Sequence, residues 1–416
     1  MGYFPKLNDI IEANQRLKGC VRHTSLMQSD NLSRRYNAEI YLKREDLQVV
    51  RSYKLRGAYN KILSLSEEQR GHGVVCASAG NHAQGVAFSC NKLGIKGTIY
   101  MPVTTPKQKV DQVRLFGNGE VEIVLIGDTF DESAAEAKAF CEANNMEFVH
   151  PFDDEKIIEG QATVGVEIIE DSDAPIDYLF VPIGGGGLLS GVGAYFHQIS
   201  PKTKIIGVEP AGAASMSYAI EHGEVCTLDE VDKFVDGASV KRVGDITFEV
   251  GRQVLSSVIT VPEGLICSTI LEMYNREAIV VEPAGALSIA ALSLYPESLE
   301  GKRVVCVVSG GNNDITRNEE IKERSLLYEG LKHYFIVRFP QRAGALKTFL
   351  SEVLGESDDI TFFEYKKKIH RENGPALIGI ELSNRNDFGA LIERMDNYGV
   401  KYEYLNPKPD LFELLV

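Results

Sequence analysis

Beyond Val74 the chain alternates short apolar runs with longer amphipathic stretches. Residues 74–77, 97–101, 121–126 and 147–150 have strand length and β-branched or aromatic content, so the pattern predicts strands there. Between them, 105–116 and 129–145 show helical spacing. The second of these holds Phe130, Ala134, Ala135, Ala137, Ala139 and Phe140 behind Asp128 and Thr129, both plausible caps. The alternation resumes with predicted strands at 178–183, 204–208 and 303–308. Runs apolar on both faces and separated by helices imply parallel strands covered on both sides, an α/β doubly wound arrangement.

The pattern changes near Arg317. A charge-rich helix is predicted over 317–332, then a strand at 333–339, a helix ending at Leu354, and a hairpin of 361–368 and 376–382 turning at Asn373-Gly-Pro375. A helix at 387–398 and a strand at 401–405 complete a β-α-β-β-α-β order, that of a small α+β sandwich. The expected division is therefore a catalytic domain over 1–320, a connecting segment over 321–332 and a second domain over 333–416.

Composition narrows the class. The 416 residues are 44% apolar and 25% charged, ordinary for a globular protein, and the net charge of −15 disfavours nucleic acid as a partner. No apolar stretch is long enough to span a bilayer, and the N-terminal Met-Gly-Tyr-Phe-Pro-Lys lacks a secretory core, so a cytoplasmic protein is expected. The seven scattered cysteines form no zinc-spaced pattern and read as reduced thiols, with no metal centre expected. Cys76 and Cys306, set in apolar runs, read as core residues.

Three predicted strands are followed directly by loops that carry chemistry: Ser78-Ala-Gly-Asn-His-Ala-Gln-Gly85, Gly184-Gly-Gly-Gly-Leu188 and Ser309-Gly-Gly-Asn312. In parallel sheets ligands bind at the carboxyl ends of strands, so all three can face one cleft. Gly184, Gly185, Gly186 and Gly187 let the backbone approach a phosphate, and Leu188 begins a helix whose N-terminus adds donors. The bland reading is a tight strand–helix turn. No Gly-Lys-Ser/Thr follows, which excludes a Walker loop, and a dinucleotide fingerprint fits poorly. Upstream, Lys54 sits among small residues in Ser52-Tyr-Lys-Leu-Arg-Gly-Ala58. Taken alone it is a solvated lysine; in a cleft, burial would lower its pKa and equip it to form a Schiff base. Gly80 and Asn81 can bind a carboxylate or a cofactor oxygen, or simply cap a helix, whereas His82 reads as structural. Lys54, the 78–85 loop, the glycine run and Ser309, in this order, read as a pyridoxal-phosphate enzyme.

These motifs resemble those of the threonine dehydratases (threonine ammonia-lyases), fold-type II pyridoxal-phosphate enzymes of the tryptophan-synthase-β type. The resemblance spans nearly the whole chain. It implies Lys54 as the Schiff-base lysine and base, and Asn81 as a contact to the pyridine hydroxyl. It also implies Gly184, Gly185, Gly186, Gly187 and Leu188 as the pyridoxal 5'-phosphate cradle, and Ser309 as partner of the ring nitrogen. Ser78, Ala79, Gly80, Asn81 and His82 match the substrate-carboxylate loop, and Glu282 a residue near the ring. Residues 333–416 resemble the ACT-like regulatory domain of the biosynthetic type, through Phe339-Pro-Gln-Arg-Ala-Gly-Ala-Leu346 and Gly374-Pro-Ala-Leu-Ile-Gly-Ile-Glu381. It departs from that pattern in Ala343, where proline is common, and in having one copy where some relatives have two.

The expected reaction is elimination of water from L-threonine to 2-oxobutanoate and ammonia, the first step of isoleucine biosynthesis. Isoleucine and valine are the expected effectors and a homotetramer the expected assembly. Glu209 resembles a family cation site, suited with Ser215 to a monovalent ion. The competing readings are a serine racemase or serine dehydratase, and a non-enzymatic amino-acid sensor. Ala79 disfavours racemisation because it cannot shuttle a proton, and retention of Lys54, Asn81 and Ser309 together argues against the sensor.

Overall fold

The computed structural model describes residues 2–365 and 373–408. The chain divides into two compact units, Met1–Ile315 and Thr316–Val416.

The first unit holds two sheets, and the runs read as strands form them. Val74–Ala77 lies between Gly97–Met101 and Glu147–Phe148, with Val121–Leu125 on the outer side of Gly97–Met101; all pairs are parallel. The larger sheet runs Leu26–Gln28, Glu39–Arg44, Arg303–Val308, Tyr178–Pro182, Lys204–Pro210, Ser257–Val261. It is parallel except for the first pair. The interior strands are buried on both faces, as continuous apolar runs require. Val121–Leu125 departs from that expectation. It is only partly buried, because an edge strand has a neighbour on one side alone. The helix expected over 129–145 is Phe130–Ala143, opened by a capping box between Thr129 and Glu132.

The helix Glu155–Asp171 is buried through Ile157–Ile168, its polar Glu159, Gln161, Thr163 and Glu167 included, and starts where Asp154 accepts the N–H groups of Lys156 and Ile157. It crosses the helix Lys54–Ser64 backbone to backbone: a Cβ on Gly160 would lie 2.6 Å from the Arg56 carbonyl oxygen, and one on Gly57 2.8 Å from that of Ile157. Only glycine at both positions allows this approach.

In the second unit the strands lie in the order Asp359–Tyr365, Asn373–Glu381, Lys332–Pro340, Lys401–Tyr404, all antiparallel, with helices Ala345–Val353 and Phe388–Tyr398. The β-α-β-β-α-β order holds. The turn does not fall at Asn373-Gly-Pro375. Those residues continue the strand, paired with Pro340, Phe339 and Arg338, because ladder pairing outweighs their turn propensity. Lys366, Lys367 and Lys368 of the expected first arm lie outside the described residues. Phe335, Val337, Phe349, Ile378 and Leu391 form this unit's own core.

Candidate active site

Lys54 is the first residue of its helix, and the segment before it is stitched to the loop that follows the strand Arg303–Val308. Ser52 bridges to Gly310, the Tyr53 N–H donates to the Ser309 carbonyl at 3.1 Å, and the Gly311 N–H donates to the Arg51 carbonyl at 2.9 Å. The Lys54 amine donates to the Pro151 carbonyl at 2.7 Å, with the Tyr53 and Phe152 rings 5.4 and 6.0 Å away. Burial pushes its pKa down to about 8, against the opposing pull of the Glu282 charge.

Below Lys54, Arg56 is fully buried in an ionic cluster that the sequence did not announce. Its guanidinium makes two bonds of 2.8 Å to Glu45, bonds of 2.6 and 2.8 Å to Glu167, and one of 3.1 Å to Thr163. The Lys43 ammonium joins Glu167 at 2.6 Å. Burial pushes the Glu167 carboxyl up, but Arg56 and Lys43 outweigh it and hold the group below its usual range.

The glycine run leaves the strand Tyr178–Pro182 and enters the helix Gly187–Ile199. Gly186 has φ +91°, the left-handed region that favours glycine. Cβ atoms on Gly184, Gly185, Gly186 and Gly187 would come within 2.9, 2.2, 2.8 and 3.0 Å of Ala238, Phe152, Thr247 and Phe152 respectively. No side chain fits, so the loop presents bare backbone. Among the described residues, none of the N–H groups of Gly184, Gly185, Gly186, Gly187 and Leu188 donates to a protein acceptor. Five free donors at a helix N-terminus suit a dianionic phosphate. The Ser309 hydroxyl likewise makes no hydrogen bond among the described residues, and the buried Ser52 hydroxyl has no partner. The residues present therefore fit pyridoxal phosphate.

Across the cleft, Ser78 accepts the Gly80 N–H at 3.3 Å, and Ala79 lies between them; the N–H groups of Ala79, Asn81 and His82 are free of protein acceptors. Asn81 opens the helix Asn81–Leu93, donating to Glu282 at 2.7 Å and accepting from Asn312 at 2.7 Å. Glu282 is buried. Burial first, then the Asp236 charge, raise its carboxyl to about 7 against the Asn81 hydrogen bond and the Lys109 charge. Lys109, from the smaller sheet's side of the cleft, pairs with Asp236 on the other. His82 turns away from the cleft. Its ring bonds the Val149 carbonyl at 2.8 Å and burial lowers its pKa to about 3, so the loop offers the His82 backbone N–H rather than its imidazole.

Glu209 is buried and raised to about 6 by that burial. Its oxygens already accept from the Met216 N–H, the Ser217 N–H and the Ser217 hydroxyl, while the Ser215 hydroxyl is buried without a partner. Among the described residues no cluster of three or more His, Cys, Asp and Glu side chains is arranged to hold a metal ion.

Comparison with known proteins gives this geometry its context. Residues 17–310 match the family described as pyridoxal-phosphate dependent enzyme, and 323–415 match the C-terminal regulatory domain of threonine dehydratase. The chain is 59% identical over 411 residues, 99% of its length and 97% of the relative's, to L-threonine dehydratase biosynthetic IlvA of Bacillus subtilis (strain 168). The chain belongs to the biosynthetic threonine dehydratases. Among solved structures, the processed form of threonine deaminase isoform 2 from Solanum lycopersicum aligns with a TM-score of 0.72 at 36% identity, covering 78% of this chain and 96% of that one. Maize serine racemase aligns as well in shape, TM-score 0.72, at 30% identity over 78% and 99%. The shared fold thus does not separate dehydratase from racemase; the full-length identity to a threonine dehydratase does. No helix of the described residues is long and apolar enough to cross a membrane.

Of the side chains that sequence reasoning singled out, Lys54, Asn81, Glu282 and Ser309 come together, whereas His82 turns away and Glu209 lies in a separate buried group. What that reasoning missed are the loop His150–Asp154, the Asn312 amide and the buried cluster around Arg56. Only Asp154 carried a readable signal, as an N-cap before a buried helix.

Proposed function

We propose that the cleft between the two sheets eliminates water from L-threonine, yielding 2-oxobutanoate and ammonia, with Lys54 as the base at Cα. What carries this reading is the Lys54 amine, surrounded by protein and brought to a pKa of about 8, so that an appreciable share is neutral and able to take a proton near neutrality. Bound pyridoxal phosphate supplies an aldehyde that captures the substrate amino group and a ring that accepts the electrons released at Cα.

The protein does the rest. The N–H groups of Gly184, Gly185, Gly186, Gly187 and Leu188 hold the phosphate, and Asn81, itself fixed by Glu282 and Asn312, holds the ring hydroxyl. The Ser309 hydroxyl would face the ring nitrogen and, unlike a carboxylate, would not keep a proton there. The free N–H groups of Ala79, Asn81 and His82 receive the substrate carboxylate, and the proton for the leaving oxygen would come from the cofactor phosphate or the Ser78 hydroxyl. Ala79 offers no acid for racemisation.

Residues 1–320 form the catalytic domain, 321–332 the connection and 333–416 an ACT-like domain that pairs with its copy in a homotetramer and takes isoleucine or valine. The effector acts only through different affinity for two arrangements of the assembly. A cytoplasmic setting fits the free cysteines. The decisive test is Lys54→Ala: turnover of threonine and the bound cofactor's visible absorption should both disappear while far-UV dichroism is unchanged. Near-normal turnover in this variant ends the reading.

A further inference from the structure

The loop between the strand Glu147–Phe148 and the helix Glu155–Asp171 reaches Lys54, the glycine run and the segment 245–247, although of its side chains only Asp154 carried a sequence signal. Pro151 gives its carbonyl to the Lys54 amine at 2.7 Å. The Phe152 ring fills the space beneath Gly185, and the Phe152 backbone and Cβ lie against Gly187. Asp153 accepts the N–H groups of Asp245, Ile246 and Thr247, and Asp154 caps the next helix. What bends this loop is His150. Its Nδ1 accepts the Asp153 N–H at 2.7 Å and the Phe152 N–H at 3.3 Å, and its ring meets Phe152 edge-on at 4.7 Å between centroids.

We propose that His150 is a positioning residue for the reactive amine: its Nδ1 closes a tight turn that aims the Pro151 carbonyl at Lys54. The turn works only while Nδ1 is unprotonated, since a second N–H there would face two donors. Burial, helped by the Lys138 and Lys54 charges and opposed by Asp154, lowers the His150 pKa to about 4, so the acceptor persists through the neutral range. A carbonyl on the amine takes one N–H and leaves the lone pair directed elsewhere, as a base between proton transfers requires. It also favours the ammonium form, partly offsetting the burial that lowers Lys54. The other titratable groups facing Lys54 are Glu282, which favours its charge, and the His82 ring, which is neutral beside it.

The proposal rests on Lys54 being the reactive amine, and its test reads that amine directly. In full-length protein freed of cofactor, the rate at which an acylating reagent labels Lys54, located by mass spectrometry, is followed against pH. His150→Phe keeps the ring packing and removes the acceptor. The Lys54 midpoint should fall by about one pH unit, making labelling at pH 7 roughly fivefold faster. His150→Asn restores an acceptor near the Nδ1 position and should return the midpoint to the wild-type value. An unchanged midpoint in His150→Phe overturns the proposal. So does a rise toward the free-lysine value of about 10.4, which marks simple loosening, or an Asn variant that shifts as far as Phe. Should His150→Phe not fold, His150→Asn decides alone: a wild-type midpoint supports the turn and a shifted one rejects it. Persistence of the cofactor's visible absorption in Lys54→Ala would instead remove Lys54 from its role, an outcome distinct from any of these.

Discussion

Replacing Arg56 by methionine isolates what the buried cluster contributes. In the native protein two cations, Arg56 and Lys43, face two anions, Glu45 and Glu167, all at most 5% exposed. Methionine keeps most of the volume and deletes the charge. Glu167 keeps its 2.6 Å bond to Lys43, but Glu45 loses both of its guanidinium bonds and retains as close donor only the Thr24 hydroxyl. One carboxylate is thus left buried without a cation, a change that costs about 3–5 kcal/mol. The chain has no tryptophan, so urea unfolding is best followed by far-UV dichroism, taking the transition that coincides with loss of cofactor absorption. Adding Glu45→Leu removes the stranded charge and should make the double variant more stable than Arg56→Met by about 2 kcal/mol, since a balanced apolar replacement is far cheaper than a broken pair.

The cluster also has a pH signature. Because Glu167 is held below its usual range, its contribution is present above about pH 4.5 and is lost as pH falls through its lower folded value. Arg56→Met should shrink that acid-side loss. A cost below about 1 kcal/mol for Arg56→Met, or a double variant no more stable than the single, would refute the argument.

The other predictions are independent of this one. Gly185→Val places branched carbon where 2.2 Å separates a bare Cβ from the Phe152 ring; overpacking of about 1–3 kcal/mol should weaken pyridoxal-phosphate binding tenfold or more in a cofactor titration. Glu282, raised to about 7, binds its proton more tightly folded than unfolded, so its ionisation removes stability as pH rises from about 4.5 to about 7; Glu282→Gln should flatten melting temperature across that window. Truncation after Lys332, at the end of the proposed connection, should leave threonine turnover measurable and abolish any response to isoleucine or valine in substrate saturation curves.

Much of the candidate site was readable because the chemistry proposed for it depends on residue types in fixed local order. The glycine run, Ser309 and the 78–82 loop each follow a buried parallel strand, and such strands appear in sequence as unbroken apolar runs. The helix Glu155–Asp171 is less legible, because Glu159, Gln161, Thr163 and Glu167 are buried along with its apolar residues and composition does not announce that burial. At Asn373-Gly-Pro375 composition pointed to a turn, and pairing with Arg338, Phe339 and Pro340 prevailed.

By itself the sequence determined the class of chemistry, a candidate lysine for it, a run of bare glycine backbone and the presence of a separate α+β module. Each rests on short stretches in which local propensity and burial pattern agree. Only the tertiary structure decided how the lysine is held: the Pro151 carbonyl lies 97 residues away, and the carboxylates that neutralise Arg56 lie 11 and 111 residues away. It alone turned His82 toward Val149 and joined Asn81 to Glu282 across 201 residues. Contacts between distant residues depend on which elements pack together, and that packing is settled by the whole core rather than by any local pattern.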